Sequence, residues 1–177
     1  IFGAEAALVR SGCVNGTHAS ATALFAVCKP GDTLLSVTGT PYDTLQCTIG
    51  TSGNGDGSLK FYGVDYAQVN LLPNGEPNLE GIKKAASDSK VRAVMIQRSR
   101  GYGNRRAFGI DDIEIIIKAV REVNAAANIL VDNCYGEFTE TREPPDVGAD
   151  LIAGSLIKNP GGGRAHGLVQ VRTVGKD

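Results

Sequence analysis

The sequence predicts an α/β fold: a mostly parallel sheet flanked by helices. Short apolar runs alternate with amphipathic stretches along the chain, and most of the 23 glycines fall between these periodic segments rather than inside them. Strands separated by helices require crossovers, and crossover-connected strands form parallel sheets. At 177 residues, with 42% hydrophobic and 21% charged residues, the chain is long enough for one domain with a buried core.

Residues 4–10 are ambiguous between strand and helix, with strand the preferred reading. Residues 17–28 read as a helix starting near Asn15 or Gly16, and Lys29-Pro30-Gly31-Asp32 stops it. Residues 33–38 read as a strand, followed by a loop and a short helix from about Asp43. The glycine-rich segment 50–57 is a turn or hairpin tip. Another strand is expected over 64–70, a turn at Pro73-Asn74-Gly75, and a helix from Leu79 to Ser87. Val91 to Gln97 is a strand. Asp111 to Asn124 is an amphipathic helix with Ile113, Ile116, Ile117, Val120 and Val123 on one side. Ile129 to Val131, Asp150 to Gly154 and Gly167 to Val174 read as further strands.

In a parallel sheet, ligands sit beyond the carboxyl ends of the strands. Three such places carry chemistry. After the first strand, Gly12-Cys13-Val14-Asn15-Gly16-Thr17 opens a helix, whose free N–H groups and positive dipole end suit a phosphate. The same residues would also make an ordinary N-cap. Asp132 follows the strand at 129–131; a carboxylate there suits a protonated ring nitrogen, or caps the next turn. Ser155-Leu156-Ile157-Lys158 follows the strand at 150–154 and leads into a glycine-rich turn. Desolvation and nearby positive charge would lower the pKa of Lys158 and free its amine for imine formation; the alternative is a surface lysine entering a loop. A phosphate loop, then Asp132, then Ser155-x-x-Lys158, with Lys158 26 residues after the Asp, is the order a pyridoxal-phosphate site requires.

The segments AEAALVRSGCVNGTHASATALFAV, GDTLLSVTGTPYDTLQCTIG, VMIQRSRGY, ILVDNCYGEFTE and PPDVGADLIAGSLIKNPGGG resemble the aluminium-resistance or cystathionine β-lyase-related family, of the methionine γ-lyase branch of fold-type I pyridoxal-phosphate enzymes. The resemblance runs to about Gly163, after which Arg164-Ala165-His166-Gly167 leads into a short basic tail and the match fades. It implies that residues 1–177 are part of the large, cofactor-binding domain, without an N-terminal segment and a C-terminal small domain. It implies pyridoxal 5′-phosphate as cofactor, held covalently by Lys158, with Asp132 at the pyridine nitrogen. Gly16, Thr17 and Ser155 would bind the phosphate, and Tyr42 would stack on the ring. Gln97, Arg98, Ser99 and Arg100 could contact the cofactor or a substrate carboxylate. His18 is expected to brace the phosphate loop, and Cys134 to be a small buried thiol. The implied activity is carbon–sulfur lyase chemistry on a sulfur amino acid, in a cytoplasmic homodimer or homotetramer. An aminotransferase or decarboxylase on the same scaffold, and a catalytically incomplete fragment, are the alternatives.

Other function classes are disfavoured. A net charge of −1 gives no electrostatic case for nucleic acid or anionic membrane. No apolar run approaches the roughly 18 residues of a membrane helix. The four cysteines form no CxxC pair, which argues against structural zinc or a disulfide framework. No GxGxxG follows the first strand, so a dinucleotide fold is not indicated.

Overall fold

The computed structural model describes residues 3–10, 12–162 and 167–171, the side chains of residues 10 and 167–171 excepted. Seven strands form one sheet: β1 (Ala6–Arg10), β2 (Thr33–Ser36), β3 (Asp65–Gln68), β4 (Val91–Gln97), β5 (Asn128–Asp132), β6 (Leu151–Ser155) and β7 (Gly167–Val171). Their order across the sheet is β1-β7-β6-β5-β4-β2-β3. The five strands from β6 to β3 are parallel. β7 runs antiparallel to both β6 and β1, a reversal that the strand pattern alone did not indicate.

Helices α1 (Gly16–Val27) and α2 (Asp43–Ile49) cover one face; α3 (Leu79–Ala86) and α4 (Ile110–Val123) cover the other. The strands divide their side chains between these layers with period two. Leu34, Ala93, Met95, Leu130, Leu151 and Ala153 pack toward α1 and α2. Leu35, Val94, Ile96, Ile129, Val131 and Ile152 pack toward α3 and α4. Burial on both faces is why these strands read as continuous apolar runs instead of alternating ones.

α4 buries Ile113, Ile116, Ile117 and Val120 at the i, i+3, i+4, i+7 spacing of one helical stripe. Val123, expected on the same side, is 41% exposed, because the helix ends there and Asn124 caps it. Asn124 also donates from its side chain to the carbonyls of Ala86 and Val91, tying the helix end to α3 and β4. A 3₁₀ turn at Pro144–Val147, without apolar periodicity, escaped the sequence reading. Among the described residues no helix is long and apolar enough to cross a membrane, and all four cysteines are free thiols.

Because β2, β4, β5 and β6 are parallel, their carboxyl ends share one edge of the sheet. β1, antiparallel to β7, points the same way as β6. The loop from β1 to α1 therefore arrives at that edge too, as does the β6–β7 connection that carries Lys158.

Candidate functional site

A cleft of about 920 Å³ lies along this edge. Every site residue read from the sequence lines it: Gly16, Thr17, Tyr42, Asp132, Ser155 and Lys158.

The phosphate-loop side is built on the start of α1. The Asn15 side chain accepts from His18 N–H at 2.8 Å, and the Asn15 carbonyl accepts from Ala19. The N–H groups of Gly16 and Thr17, in the first turn, have no intrahelical partner by geometry and stay available. Gly16 is a glycine for a packing reason. A Cβ there would stand 2.8 Å from Cys134 Sγ and 3.4 Å from Ser155 Cβ, so a side chain would push the helix start off β5 and β6. His18 lies outside the cleft lining, and its Nδ1 accepts from Val14 N–H at 3.4 Å, bracing the loop as expected.

Facing this turn is Ser155 at the end of β6. Its hydroxyl is fully buried and has no hydrogen-bond partner. A buried hydroxyl without a partner carries a free-energy cost that a bound acceptor would remove. The residues present therefore fit an anionic group held between Ser155 Oγ and the free N–H groups of α1.

Asp132, at the end of β5, is 1% exposed. Cys134 donates to it through its backbone N–H at 3.1 Å. Burial raises its carboxyl pKa to about 6; hydrogen bonds from Cys134 oppose this, the charge of Glu137 adds to it, and that of Lys158 works against it. A carboxylate in this state gains from any cation brought against it. Tyr42 is half-buried at the start of α2, its N–H donating to Gln97 Oε1 at 3.0 Å. Its phenol pKa is pushed well up by burial and then by the charge of Asp132, and both residues line the cleft. Burial also drives the Cys134 thiol strongly up, so it is an inert packing group.

Lys158 differs from expectation. Its amine stands 3.9 Å from the centroid of the Tyr135 ring. Burial pulls its pKa down, but Tyr135 and then the charges of Cys134 and Asp132 more than reverse this, and the net direction is up. Among the described residues no positive charge lowers it, and the net direction favours the ammonium in the absence of ligand.

The residues after β4 divide in two. Arg98 is buried and spends its donors on protein. Nε donates to the Phe108 carbonyl (3.2 Å), Nη1 to Asn133 Oδ1 (2.8 Å) and the Gly136 carbonyl (3.0 Å), and Nη2 to Thr139 Oγ1 (3.3 Å) and Glu140 Oε1 (2.5 Å). Gln97 is likewise engaged, its side-chain amide donating to the Ser99 carbonyl. Arg98 therefore has no donor left for a ligand, which corrects the sequence expectation for that residue, and Gln97 lies outside the cleft lining. Arg98, Ser99 and Arg100 line the cleft, and Arg100 is exposed there.

Two residues in the site were not read from the sequence. Tyr135 cradles Lys158. Glu137, 1% exposed, accepts from Ser155 N–H at 2.9 Å and so fixes the end of β6. An acidic residue inside a turn directly after an apolar strand was the available signal.

A family model described as methionine gamma-lyase matches residues 1–173. The chain belongs to the methionine gamma-lyase family. The match continues past Gly163, where the sequence reading had it fade, and β7 belongs to the sheet; residues 163–166 and 172–177 lie outside the described residues. Among solved members, a protein from Clostridium novyi NT named a carbon-sulfur lyase involved in aluminum resistance is 52% identical, with a TM-score of 0.88 over 94% of this chain and 40% of its own. One from Listeria innocua, provisionally named a cystathionine beta-lyase involved in aluminum resistance, is 48% identical, with a TM-score of 0.93 over 97% of this chain and 42% of its own. The uncharacterized protein YnbB of Bacillus subtilis is 50% identical over 93% of this chain and 39% of its own length. Micromonospora echinospora CalE6, a methionine gamma lyase, shares the fold with a TM-score of 0.66 at 22% identity. The chain thus spans about two-fifths of the length of the relatives it matches.

Proposed function

We propose that this chain is the cofactor-binding part of a pyridoxal-phosphate-dependent carbon–sulfur lyase that acts on sulfur amino acids. The observation that carries the reading is the convergence on one cleft of three unmet demands. These are the partnerless Ser155 hydroxyl beside the free N–H groups of α1, the buried Asp132 carboxylate, and the Lys158 amine. A phosphorylated, cationic aldehyde answers all three. The names of the Clostridium and Listeria relatives support the lyase class.

Ser155 Oγ and the N–H groups of Gly16 and Thr17 hold the phosphate. Asp132 keeps the ring nitrogen protonated, because its burial makes the loss of that proton unfavourable for both partners. Tyr42 covers the ring face. Lys158 would make the covalent attachment, and its Nζ, when free, would be the group that takes up the proton from the substrate Cα. Among the described residues Arg100, exposed at the cleft, is a cation that could meet a substrate carboxylate. When bound, the cofactor supplies the electron sink that lets a thiol substituent leave.

The test is to add pyridoxal phosphate, reduce with borohydride, digest, and find the modified lysine by mass spectrometry. Label at Lys158, lost in Lys158→Ala, is the expected result. No label at Lys158, in this chain and in a protein of the relatives' full length that carries it, would overturn the reading. Release of a keto acid from cystathionine without a second keto acid present separates a lyase from an aminotransferase.

A further inference from the structure

The connection from Asp132 to Glu143 has an unusual backbone. Tyr135 and Phe138 both take left-handed conformations, with φ of 68° and 60°, which bulky residues rarely adopt. Such strain persists only where the surroundings fix it, and it concentrates at functional sites. Here the surroundings are explicit. Arg98 grips the segment through the Gly136 carbonyl and the Asn133 side chain. Position 136 must be glycine, because a Cβ there would overlap the Arg98 guanidinium. Glu143 closes the other end, accepting from Asn133 Nδ2 at 2.9 Å and from Phe138 N–H at 3.0 Å.

What this clamped segment presents to the cleft is Tyr135. Its ring lies under the Lys158 amine at 3.9 Å. Its carbonyl accepts from the side chain of Asn159, the next residue, at 2.8 Å, and the Glu137 carbonyl shares that donor at 3.3 Å. The Lys158-Asn159 dipeptide is therefore docked at two points on one residue.

We propose that Tyr135 is the positioning residue for Lys158: its ring face docks the ammonium and its carbonyl pins Asn159, so that the free lysine is held aimed into the cleft in its protonated form. This rests on the proposed attachment of a cofactor at Lys158 and adds a state to it. A ring face attracts the cation and not the neutral amine. Tyr135 thus favours proton uptake by Nζ, which is the step required of Lys158 once the substrate has displaced it. Among the described residues the ionisable groups acting on Nζ are Tyr135, Cys134 and Asp132. Arg98 acts on Lys158 only through this segment.

The contact can be read without cofactor. The chain is labelled with acetic anhydride across a pH series, and acetylation of Lys158 is followed by mass spectrometry against an exposed lysine. Tyr135→Asn removes the ring while being easier to accommodate at positive φ, so folding is preserved. The expected result is a half-reactivity pH for Lys158 about half a unit lower in Tyr135→Asn, with Tyr135→Phe, which keeps the ring and loses the hydroxyl, falling between it and the wild type. An unchanged profile in Tyr135→Asn would overturn the proposal, as would a Tyr135→Phe profile that matches Tyr135→Asn. Should the shift appear while pyridoxal phosphate fails to be trapped at Lys158 in the wild type, the proposed function falls and the docking of the amine stands.

Discussion

Replacing Arg98 with alanine would remove the centre of the buried network beneath the cleft. The side chain is 4% exposed, and five hydrogen bonds leave it. Its loss would strip Glu140 of an ion pair at 2.5 Å and Glu143 of a guanidinium at 3.8 Å, and would take a donor from the Phe108 carbonyl and from Asn133 Oδ1. Deleting one partner of a buried ion pair typically costs about 3–5 kcal/mol, because the remaining charge is uncompensated. For a chain of this size each kcal/mol moves the melting temperature by about 2–4 °C, so the midpoint should fall by about 6–20 °C. Calorimetry or thermal circular dichroism reads this directly. Arg98→Lys keeps the charge but loses the fork, and should fall between the two. An Arg98→Ala midpoint within about 2 °C of wild type, together with lost ligand binding, would refute the structural role and restore a contact with cofactor or substrate.

Three further outcomes are expected. Gly16→Ala should destabilise the chain by about 1–3 kcal/mol in urea unfolding, and Cys134→Ala in the same chain should recover much of this by clearing the sulfur 2.8 Å away. Ser155→Ala should leave the cofactor-free chain as stable or slightly more so, since a partnerless buried hydroxyl is removed, yet weaken pyridoxal phosphate retention on dialysis about tenfold or more. Asp132 is protonated more readily when folded, about 6 against a reference of 3.8, so the folded state binds more protons between these values. Its contribution is present below the lower value and is lost as pH rises to the upper one. The total is about 3 kcal/mol, and Asp132→Asn should flatten the urea midpoint between pH 4 and 6 relative to wild type.

The parallel sheet was legible because each central strand is buried on both faces and each crossover helix carries its own period. Val91–Gln97 and the isoleucine stripe of α4 are the clearest cases. Asp132, Ser155 and Lys158 were legible because a parallel sheet delivers the carboxyl ends of its strands to one edge. What failed to show was whatever depends on a single backbone torsion or on a distant partner. Nothing local in Cys134-Tyr135-Gly136-Glu137 announces that Tyr135 turns left-handed and slides under a lysine 23 residues on. Arg98 looked like a ligand contact because it follows a strand. Only the folded chain shows that residues 108, 133, 136, 139 and 140 have already taken its donors. The reversal of β7 was equally hidden, since a strand's residues do not encode its direction.

That reversal sets an order of assembly. Among the described residues β1 pairs in the sheet with β7 alone, Ala6 opposite Val171. Of the described strands β1 is synthesised before the others, and it cannot be seated against β7 until residue 171 has cleared the exit tunnel, some 160 residues later. The β2–β6 core can form in the meantime, with Asp132 and Ser155 already in place at its edge. The turn before α1 hangs from an unpaired strand until then. The start of α1 can already pack on Cys134 and Ser155, but the strand that leads into it has its sheet partner only once β7 is made, so β7 completes the anchoring of the anion-binding half of the cleft.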